Sequence, residues 1–226
     1  MIKVLIVDDS AVARNFLKEV LSGDPSIDVV GTAPDPFIAR DKIIKFNPDV
    51  ITLDVEMPRM DGITFLKKLM RYYPIPVVIL SSLTQRGAAT TMEAMEEGAV
   101  DVIAKPQTDV VKGMEEISRE IIEKVKNASL ARVRKRKEIR PFDGSAPVKI
   151  DGTALKQSTN KVIAIGASTG GTEAIKEVLV RLPADTPGIV IVQHMPEKFT
   201  RAFAERLNTF CAMEVKEARD GDGVIP

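Results

Sequence analysis

The sequence predicts an α/β protein built from doubly wound parallel sheets. Short β-branched runs alternate with amphipathic segments from residue 1 to about 126, and the same alternation resumes after residue 160. Parallel strands need long crossover connections, which are usually helices, so this alternation favours parallel sheets with helices on both faces. We therefore predict a (βα)5 domain of flavodoxin-like type over 1–126, a linker over 127–160, and the first part of a second doubly wound domain over 161–226.

The elements of the first domain follow from apolar runs and helix end signals. The runs KVLIV, DVVGTA, DVITLD, PVVILS and VDVIA predict five strands. Ser10 can cap the first helix and Gly23 can end it, while the second, FIARDKIIKF, stops before Pro48. The helical period predicts three more helices over 62–72, 86–97 and 110–126. If the strand order is 2-1-3-4-5, strands 1 and 3 are neighbours at the point where the connections reverse direction.

The composition changes after the first domain. The segment ARVRKRKEIR is strongly basic, and the following PFDGSAPVKIDGTALKQSTN is rich in Pro, Gly, Ser and Thr. This predicts an exposed linker. The basic run could contact a nucleic acid or an acidic protein surface, and a solvated linker is the simpler interpretation.

The second region repeats the α/β pattern over a shorter length. KVIAIGAS, GIVIVQH and MEVKEA predict strands, and helices are predicted over 171–181 and 197–208. Three strands and two helices are too few for a large independent core. We therefore expect this sheet to continue in a longer protein.

Composition excludes several classes of protein. Hydrophobic residues at 44% and charged residues at 28% are typical of a globular chain. The 32 basic and 32 acidic residues cancel, which gives no general attraction to nucleic acid. Cys211 is the single cysteine, so we expect a packing residue rather than a disulfide or a reactive thiol. The apolar run in MIKVLIVDD is too short for a signal-peptide core, and no stretch approaches the roughly 20 apolar residues that span a bilayer. We therefore expect a cytoplasmic protein without membrane insertion.

Polar residues follow the strands of the first domain at the ends where ligands bind in such sheets. Asp8 and Asp9 follow strand 1, Asp54 ends strand 3, Ser81 ends strand 4 and Lys105 follows strand 5. Three carboxylates at one edge repel each other unless a cation joins them, and a hard divalent ion such as Mg²⁺ suits carboxylate ligands. An ammonium and a hydroxyl are suitable partners for a phosphoryl group on one carboxylate.

These residues, together with MPxMDG after strand 3 and KP after strand 5, resemble the receiver domain of bacterial two-component response regulators. The resemblance covers residues 1–126. It implies that Asp54 accepts a phosphoryl group from a histidine kinase. It implies a Mg²⁺ site from Asp8, Asp9, Asp54 and the backbone carbonyl of Glu56, with Ser81 as the switch hydroxyl and Lys105 as the phosphate-binding lysine.

The stretch GASTGG after the first strand of the second region has three interpretations. A dinucleotide-binding loop fails, because Ser168 replaces the second glycine and no acid ends the next strand. A tight connection and a G-x-S-x-G nucleophile turn both remain. His194, the only histidine, ends the next strand and could lie beside Ser168 as its base.

GASTGGTEAI and QHMPxxFTxxFAxRLN are similar to the catalytic domain of the chemotaxis protein-glutamate methylesterase (CheB) family, which joins a receiver to a methylesterase by a linker. The resemblance implies Ser168 as nucleophile and His194 as general base, with no cofactor for the ester step. The implied substrates are glutamyl methyl esters, and the amides of some glutamines, on chemoreceptors. Phosphorylation of Asp54 would relieve occlusion of the active site by the receiver and stimulate hydrolysis.

One part of the family's site is not in this chain. The family completes its Ser-His-Asp triad with an aspartate further downstream, and this sequence ends at Pro226. Asp220 and Asp222 follow His194, but their setting does not mark them as substitutes. Losing the orienting acid costs about 10⁴-fold in the serine proteases, so we expect this chain alone to hydrolyse esters slowly.

The sequence leaves three alternative functions for this chain. The first is a phosphorylation-regulated methylesterase, and the second is a phospho-switched binding module with an inert output region. The third, a DNA-binding response regulator, has only the basic linker in its favour, because no helix-turn-helix pattern follows it.

Overall fold

The structure is a computed structural model that describes residues 1–57, 61–82, 84–105, 114–133 and 161–224. The first region forms a five-stranded parallel sheet in the order β2-β1-β3-β4-β5, which confirms the predicted order. The strands are β1 (Ile2–Val7), β2 (Ile27–Ala33), β3 (Val50–Asp54), β4 (Val77–Ser81) and β5 (Asp101–Ala104). The helices are α1 (Ala11–Ser22), α2 (Pro36–Phe46), α3 (Gly62–Tyr72), α4 (Gln85–Glu96) and α5 (Met114–Ser129).

Local end signals explain where these helices begin. Ser10 caps α1 by accepting a hydrogen bond from Ala13 N–H, as predicted. Side chains that the sequence analysis did not assign cap the next three helices: Asp35 for α2, Asp61 for α3 and Thr84 for α4. The α5 helix ends three residues later than the predicted 126, and residues 110–113 of its predicted start lie outside the described residues.

Apolar side chains that alternate along the strands form a core on one face of the sheet. Val4 and Ile6 of β1 pack with Leu17 and Leu21 of α1, together with α5 side chains such as Val125. The remaining members of this cluster come from the neighbouring strands, from the residue before β5 and from α5: Ile27, Val50, Val78, Leu80, Val100, Ile103, Ile121 and Ala128. The central strands β3 and β4 are buried at every position, as expected for a parallel sheet covered on both faces.

The second region forms a separate parallel pair of strands within residues 161–224. Its elements are β6 (Ile163–Ala167), α6 (Gly171–Leu179), β7 (Ile189–Gln193) and α7 (Glu197–Asn208). Side chains from one face of the pair pack with Ile175 and Leu179 of α6 and Leu207 of α7. The opposite face leaves Val192 68% exposed.

One predicted strand is wrong. Residues 213–218 (MEVKEA) form no strand in the structure, and β6 and β7 pair only with each other among the described residues. The Val215 N–H donates to Asn208 Oδ1 at 2.7 Å instead of joining a backbone ladder. Met213 and Val215 still pack against the core, so the apolar alternation reflects this packing rather than strand pairing.

The predicted linker begins within α5, which continues to Ser129, and its residues 134–160 lie outside the described residues. None of the helices in the described parts of the chain has the length and apolarity that a bilayer crossing needs.

A buried ion pair fixes α5 to the sheet. Lys124, only 2% exposed, places Nζ 3.0 Å from Asp101 Oδ1 and donates to the Val102 carbonyl at 2.8 Å. Removing one partner of a buried pair leaves the other charge uncompensated, so Lys124→Met should lower the unfolding free energy by about 3–5 kcal/mol. Urea unfolding measures the change. As a control, Lys67→Met removes the exposed Lys67–Glu93 pair and should cost less than about 1 kcal/mol; equal losses would contradict the assignment.

Candidate functional site

The carboxyl ends of four neighbouring strands bring the predicted polar residues of the first region together. Asp54 pairs in register with Leu80, and Ser81 pairs with Ala104, so the residues that follow these strands meet at one edge. One oxygen from each carboxylate of Asp8, Asp9 and Asp54 lies within 4.8 Å of the others. Asp8 and Asp54 are buried, whereas Asp9 is exposed. The arrangement is an acidic cluster that could hold a metal ion.

Lys105 reaches into this cluster. Its Nζ lies 2.6 Å from Asp54 Oδ2 and 3.3 Å from Asp8 Oδ2. The other oxygen of Asp54 accepts a hydrogen bond from the Glu56 N–H at 2.9 Å. Asp54 is therefore held by a donor on each oxygen, and these two contacts fix the orientation of its carboxylate.

Burial and charge oppose each other at this carboxylate. Burial raises the pKa of Asp54 above its usual range, and the Asp8 charge adds to the effect, although the hydrogen bonds from Lys105 and Glu56 act in the other direction. Burial acts to lower the pKa of Lys105, but the hydrogen bond and charge of Asp54 outweigh it, and the net shift is upward. The ionised Asp54 is thus poorly solvated, and an additional cation would stabilise it.

Ser81 lies at the same edge but is bonded elsewhere. Its buried hydroxyl donates to the Gly87 carbonyl in the first turn of α4 at 3.1 Å. Ser82 Oγ in turn donates to the Glu56 side chain at 3.2 Å. The hydroxyl that was predicted to contact a phosphoryl group is therefore hydrogen-bonded to α4.

The structure adds residues that the sequence analysis missed. Arg14 Nη1 donates to the backbone carbonyls of Asp8 at 2.7 Å and Asp9 at 2.9 Å, which fixes the acidic loop from the first turn of α1. A basic residue five positions after paired acids is the signal that could have suggested it. Of the motif residues behind the receiver resemblance, Pro58, Met60 and Pro106 lie outside the described residues.

Gly62 allows α3 to begin directly against the Asp54 strand end. An added Cβ would lie 2.6 Å from Val55 Cα and still closer to the Asp54 carbonyl, and both neighbours are backbone atoms. Gly62→Ala should therefore lower the unfolding free energy by about 1–3 kcal/mol, measured by urea unfolding. Gly31→Ala in β2 is the matched control, because its Cβ would make contacts no closer than 3.4 Å. Equal stability of the two variants would show that the close approach is unimportant.

The second region brings its two predicted site residues together. Ala167 and Gln193 are paired in register, so Ser168 and His194 follow neighbouring strands at the same edge. Ser168 Oγ lies 3.3 Å from His194 Nδ1, and both residues are exposed. The His194 backbone N–H also donates to the Ala167 carbonyl at 2.8 Å. A serine and a histidine in hydrogen-bond contact on an accessible edge can act as nucleophile and base.

Glycines shape the turn that carries Ser168. Gly170 has φ of 75°, in the left-handed region, and precedes α6 as its N-terminal cap. Gly171 N–H donates to the Ser168 carbonyl at 2.7 Å. The Gln193 side chain, which was not predicted from the sequence, also donates to that carbonyl, at 2.9 Å. A polar residue directly before the candidate base was the available signal.

No described residue forms a hydrogen bond with Nε2 of His194, where an orienting carboxylate would bind. The Asp222 carboxylate instead accepts hydrogen bonds from Lys216 Nζ and the Arg219 N–H, both at 2.8 Å. Cys211 packs against the core of this region, and burial raises the pKa of its thiol, which favours a packing role.

Comparison with known proteins identifies both regions. The family model described as "Response regulator receiver domain" matches residues 4–115, and "CheB methylesterase" matches residues 163–226. The crystal structure of the response regulator domain of Thermotoga maritima CheB is similar to this chain at 43% sequence identity and a TM-score of 0.53. The similarity covers 58% of this chain and 98% of the Thermotoga maritima domain. The first region is therefore a response regulator receiver domain.

Two curated relatives match over the full length of the chain. A protein of Syntrophotalea carbinolica named protein-glutamate methylesterase/protein-glutamine glutaminase is 56% identical, and one of Syntrophus aciditrophicus named protein-glutamate methylesterase/protein-glutamine glutaminase 2 is 58% identical. All of this chain is covered in both cases, and it spans 64% of each relative's length. The chain belongs to the CheB family, in which a receiver domain precedes a methylesterase domain.

Proposed function

We propose that this chain carries the regulatory domain and the nucleophile of a phosphorylation-regulated protein-glutamate methylesterase. The observation that carries the proposal is the contact between Ser168 Oγ and His194 Nδ1 at 3.3 Å, on neighbouring strand ends of a region that matches the CheB methylesterase family. The proposed substrates are glutamyl methyl esters on chemoreceptors, together with the side-chain amides of some glutamines.

The acidic cluster fits a bound Mg²⁺. Asp8 Oδ2 is buried and forms an ion pair with Lys105 Nζ at 3.3 Å, but it has no hydrogen-bond partner among the described residues, so it retains acceptor capacity for a ligand. Asp8, Asp9 and Asp54 supply hard carboxylate oxygens within 4.8 Å of one another. We assign these three carboxylates and the Glu56 backbone carbonyl as the residues that would hold the ion. When bound, Mg²⁺ neutralises charge on a transferring phosphoryl group.

Asp54 is the proposed phosphoryl acceptor. A carboxylate oxygen forms a bond to phosphorus while the P–N bond of a phosphohistidine breaks and the imidazole nitrogen leaves with the electron pair. Lys105, 2.6 Å from Asp54 Oδ2, is placed to exchange its carboxylate contact for a phosphoryl oxygen. The Glu56 N–H holds the second carboxylate oxygen during transfer. The residues thus act by positioning and by charge.

Ser81 is the proposed switch between phosphorylation and α4. Its hydroxyl donates to the Gly87 carbonyl. A phosphoryl group on Asp54 offers strong acceptor oxygens at the same edge, so the hydroxyl gains a competing partner. Moving this hydrogen bond releases the first turn of α4, which couples the charge at Asp54 to a helix.

Ser168 and His194 are proposed to perform the hydrolysis. His194 accepts the hydroxyl proton as Ser168 Oγ bonds to the ester carbonyl carbon. The ester C–O bond then breaks, and methanol leaves with that proton. Water then gives a proton to His194 as its oxygen bonds to the acyl carbon. The bond between that carbon and Ser168 Oγ breaks, and His194 returns the proton to Oγ, which releases glutamate and free Ser168. A glutamine amide follows the same sequence with ammonia as the leaving group, and neither reaction requires a cofactor.

The proposed partners are the histidine kinase of a chemotaxis system as phosphodonor and methylated chemoreceptors as substrate. The balance of 32 basic and 32 acidic residues supports a partner other than nucleic acid. We propose a cytoplasmic location without membrane insertion, where the kinase and the receptor signalling regions are accessible.

The test is release of methanol from receptor membranes carrying labelled methyl esters. The wild-type chain is incubated with Mg²⁺, with and without a small phosphodonor such as acetyl phosphate. Release above the membrane blank, increased by the phosphodonor, supports the proposal. Phosphorylation of the chain without any methanol release would overturn the esterase part.

A phospho-switched binding module is the second candidate. It is favoured by the His194 imidazole, whose Nε2 has no hydrogen-bond partner among the described residues. In that case phosphorylation would change binding to receptor membranes while methanol release stayed at the blank. Co-sedimentation of the chain with the same membranes, with and without acetyl phosphate, measures this outcome.

A further inference from the structure

Gln193 links the two candidate catalytic residues through their backbones. Its Nε2 lies 2.9 Å from the Ser168 carbonyl oxygen and 3.3 Å from the His194 carbonyl oxygen. A side-chain amide nitrogen carries two N–H donors, one for each carbonyl. Because both neighbours are acceptors, the nitrogen must face them, which fixes the orientation of the carboxamide.

Gly171 leaves the space that this carboxamide occupies. A Cβ at Gly171 would lie 3.1 Å from Gln193 Cδ, closer still to Oε1, and 2.7 Å from Ala167 Cβ. Gln193 Oε1 is buried and has no hydrogen-bond partner among the residues that the structure describes. Burying an acceptor without a partner costs free energy, so this arrangement favours a role for the donor end of the side chain.

We propose that Gln193 is a positioning residue that holds the Ser168 turn and the His194 backbone in one geometry. The inference rests on the proposed esterase function and deepens it. Ser168 is exposed at a turn and His194 is exposed at a strand end, so neither is fixed by surrounding core packing. One amide group bonded to both carbonyls limits the relative movement of the nucleophile and its base. Small displacements of reacting groups are enough to slow catalysis.

Gln193→Met and Gln193→Glu test the role. Methionine preserves length without a donor, and glutamate preserves shape but presents acceptors to both carbonyls. Val192→Ala is the matched control, because Val192 is the preceding residue and is 68% exposed on the opposite face of the strand. In the methanol assay both Gln193 variants should lower kcat by about 10-fold to 100-fold, with KM within about 2-fold of wild type.

An NMR readout tests the inference without activity. His194 is the only histidine, so its imidazole C2–H gives one assignable resonance. We expect this resonance to broaden or split in both Gln193 variants and to stay unchanged in Val192→Ala, while the thermal unfolding midpoints remain similar. An unchanged His194 resonance in two folded Gln193 variants would overturn the inference. If the wild-type chain releases no methanol, the esterase proposal fails, and the resonance alone decides whether Gln193 positions His194.

Discussion

Asp54→Asn should abolish labelling of the chain by small phosphodonors in the presence of Mg²⁺. The amide cannot supply the anionic oxygen that bonds to phosphorus, and it also removes one carboxylate from the acidic cluster. No neighbouring acid is equivalent, because Asp54 alone has both a Glu56 N–H on Oδ1 and Lys105 on Oδ2. Incorporation of ³²P from labelled acetyl phosphate, measured on the intact chain, should fall to the level without protein.

The variant should remain folded, which makes the loss interpretable. Burial already disfavours the charged form of Asp54, as its raised pKa indicates, so a neutral amide of similar shape is tolerated at this position. Its thermal unfolding midpoint should be no lower than that of wild type. Asp41→Asn, which changes an exposed acid on α2, is the control and should be labelled normally. Full labelling of the Asp54→Asn variant would contradict the assignment of Asp54 as the phosphorylation site.

Ser168→Ala should eliminate any methanol release that the wild-type chain catalyses. The substitution removes the side-chain oxygen that we propose forms the acyl intermediate, and the hydroxyl that His194 would deprotonate. Ser168 is exposed in a glycine-containing turn, so alanine should have little effect on stability. The measurement is release from methyl-labelled receptor membranes with acetyl phosphate present, with the signal of the variant expected at the membrane blank.

A second hydroxyl serves as the control for this substitution. Thr209→Ala removes an exposed hydroxyl that bonds only to the Arg206 carbonyl at the end of α7, and its release should equal that of wild type. Phosphorylation of Ser168→Ala at Asp54 should also be unchanged, because the receiver contains its own site. Methanol release by Ser168→Ala at the wild-type rate would show that another group performs the hydrolysis.

The two substitutions together separate regulation from chemistry. Asp54→Asn should lose the stimulation by phosphodonor and keep the basal Ser168-dependent release. Ser168→Ala should lose the release and keep the labelling. A chain that is labelled at Asp54 but releases no methanol in any form would match the binding-module alternative.

The receiver site could be predicted closely from sequence because its fold is repetitive. Each strand of a doubly wound sheet ends at the same edge, so polar residues directly after the apolar runs identify the site without side-chain coordinates. Asp54 and Lys105 therefore follow from position alone. Their mutual contact at 2.6 Å and the hydrogen bond of Ser81 to α4 depend on side-chain packing that a linear pattern does not contain.

The second region shows where sequence patterns fail. Alternation in MEVKEA predicts a strand, but its backbone is bonded to the Asn208 side chain and its apolar residues pack against the core without pairing. Alternation of apolar and polar residues indicates which side chains are buried. Whether the backbone pairs with another strand depends on the neighbouring elements in the tertiary structure.

The sequence by itself predicted the two parallel sheets and their order, and it indicated that Asp54, Ser168 and His194 lie at strand ends. It could do so because strand ends, helix caps and family motifs are local features of the chain. Only the tertiary structure decided which groups touch. The Arg14 contacts to the acidic loop and the Gln193 bridge between Ser168 and His194 depend on distances across separate elements. Sequence spacing does not encode those distances, because packing sets them.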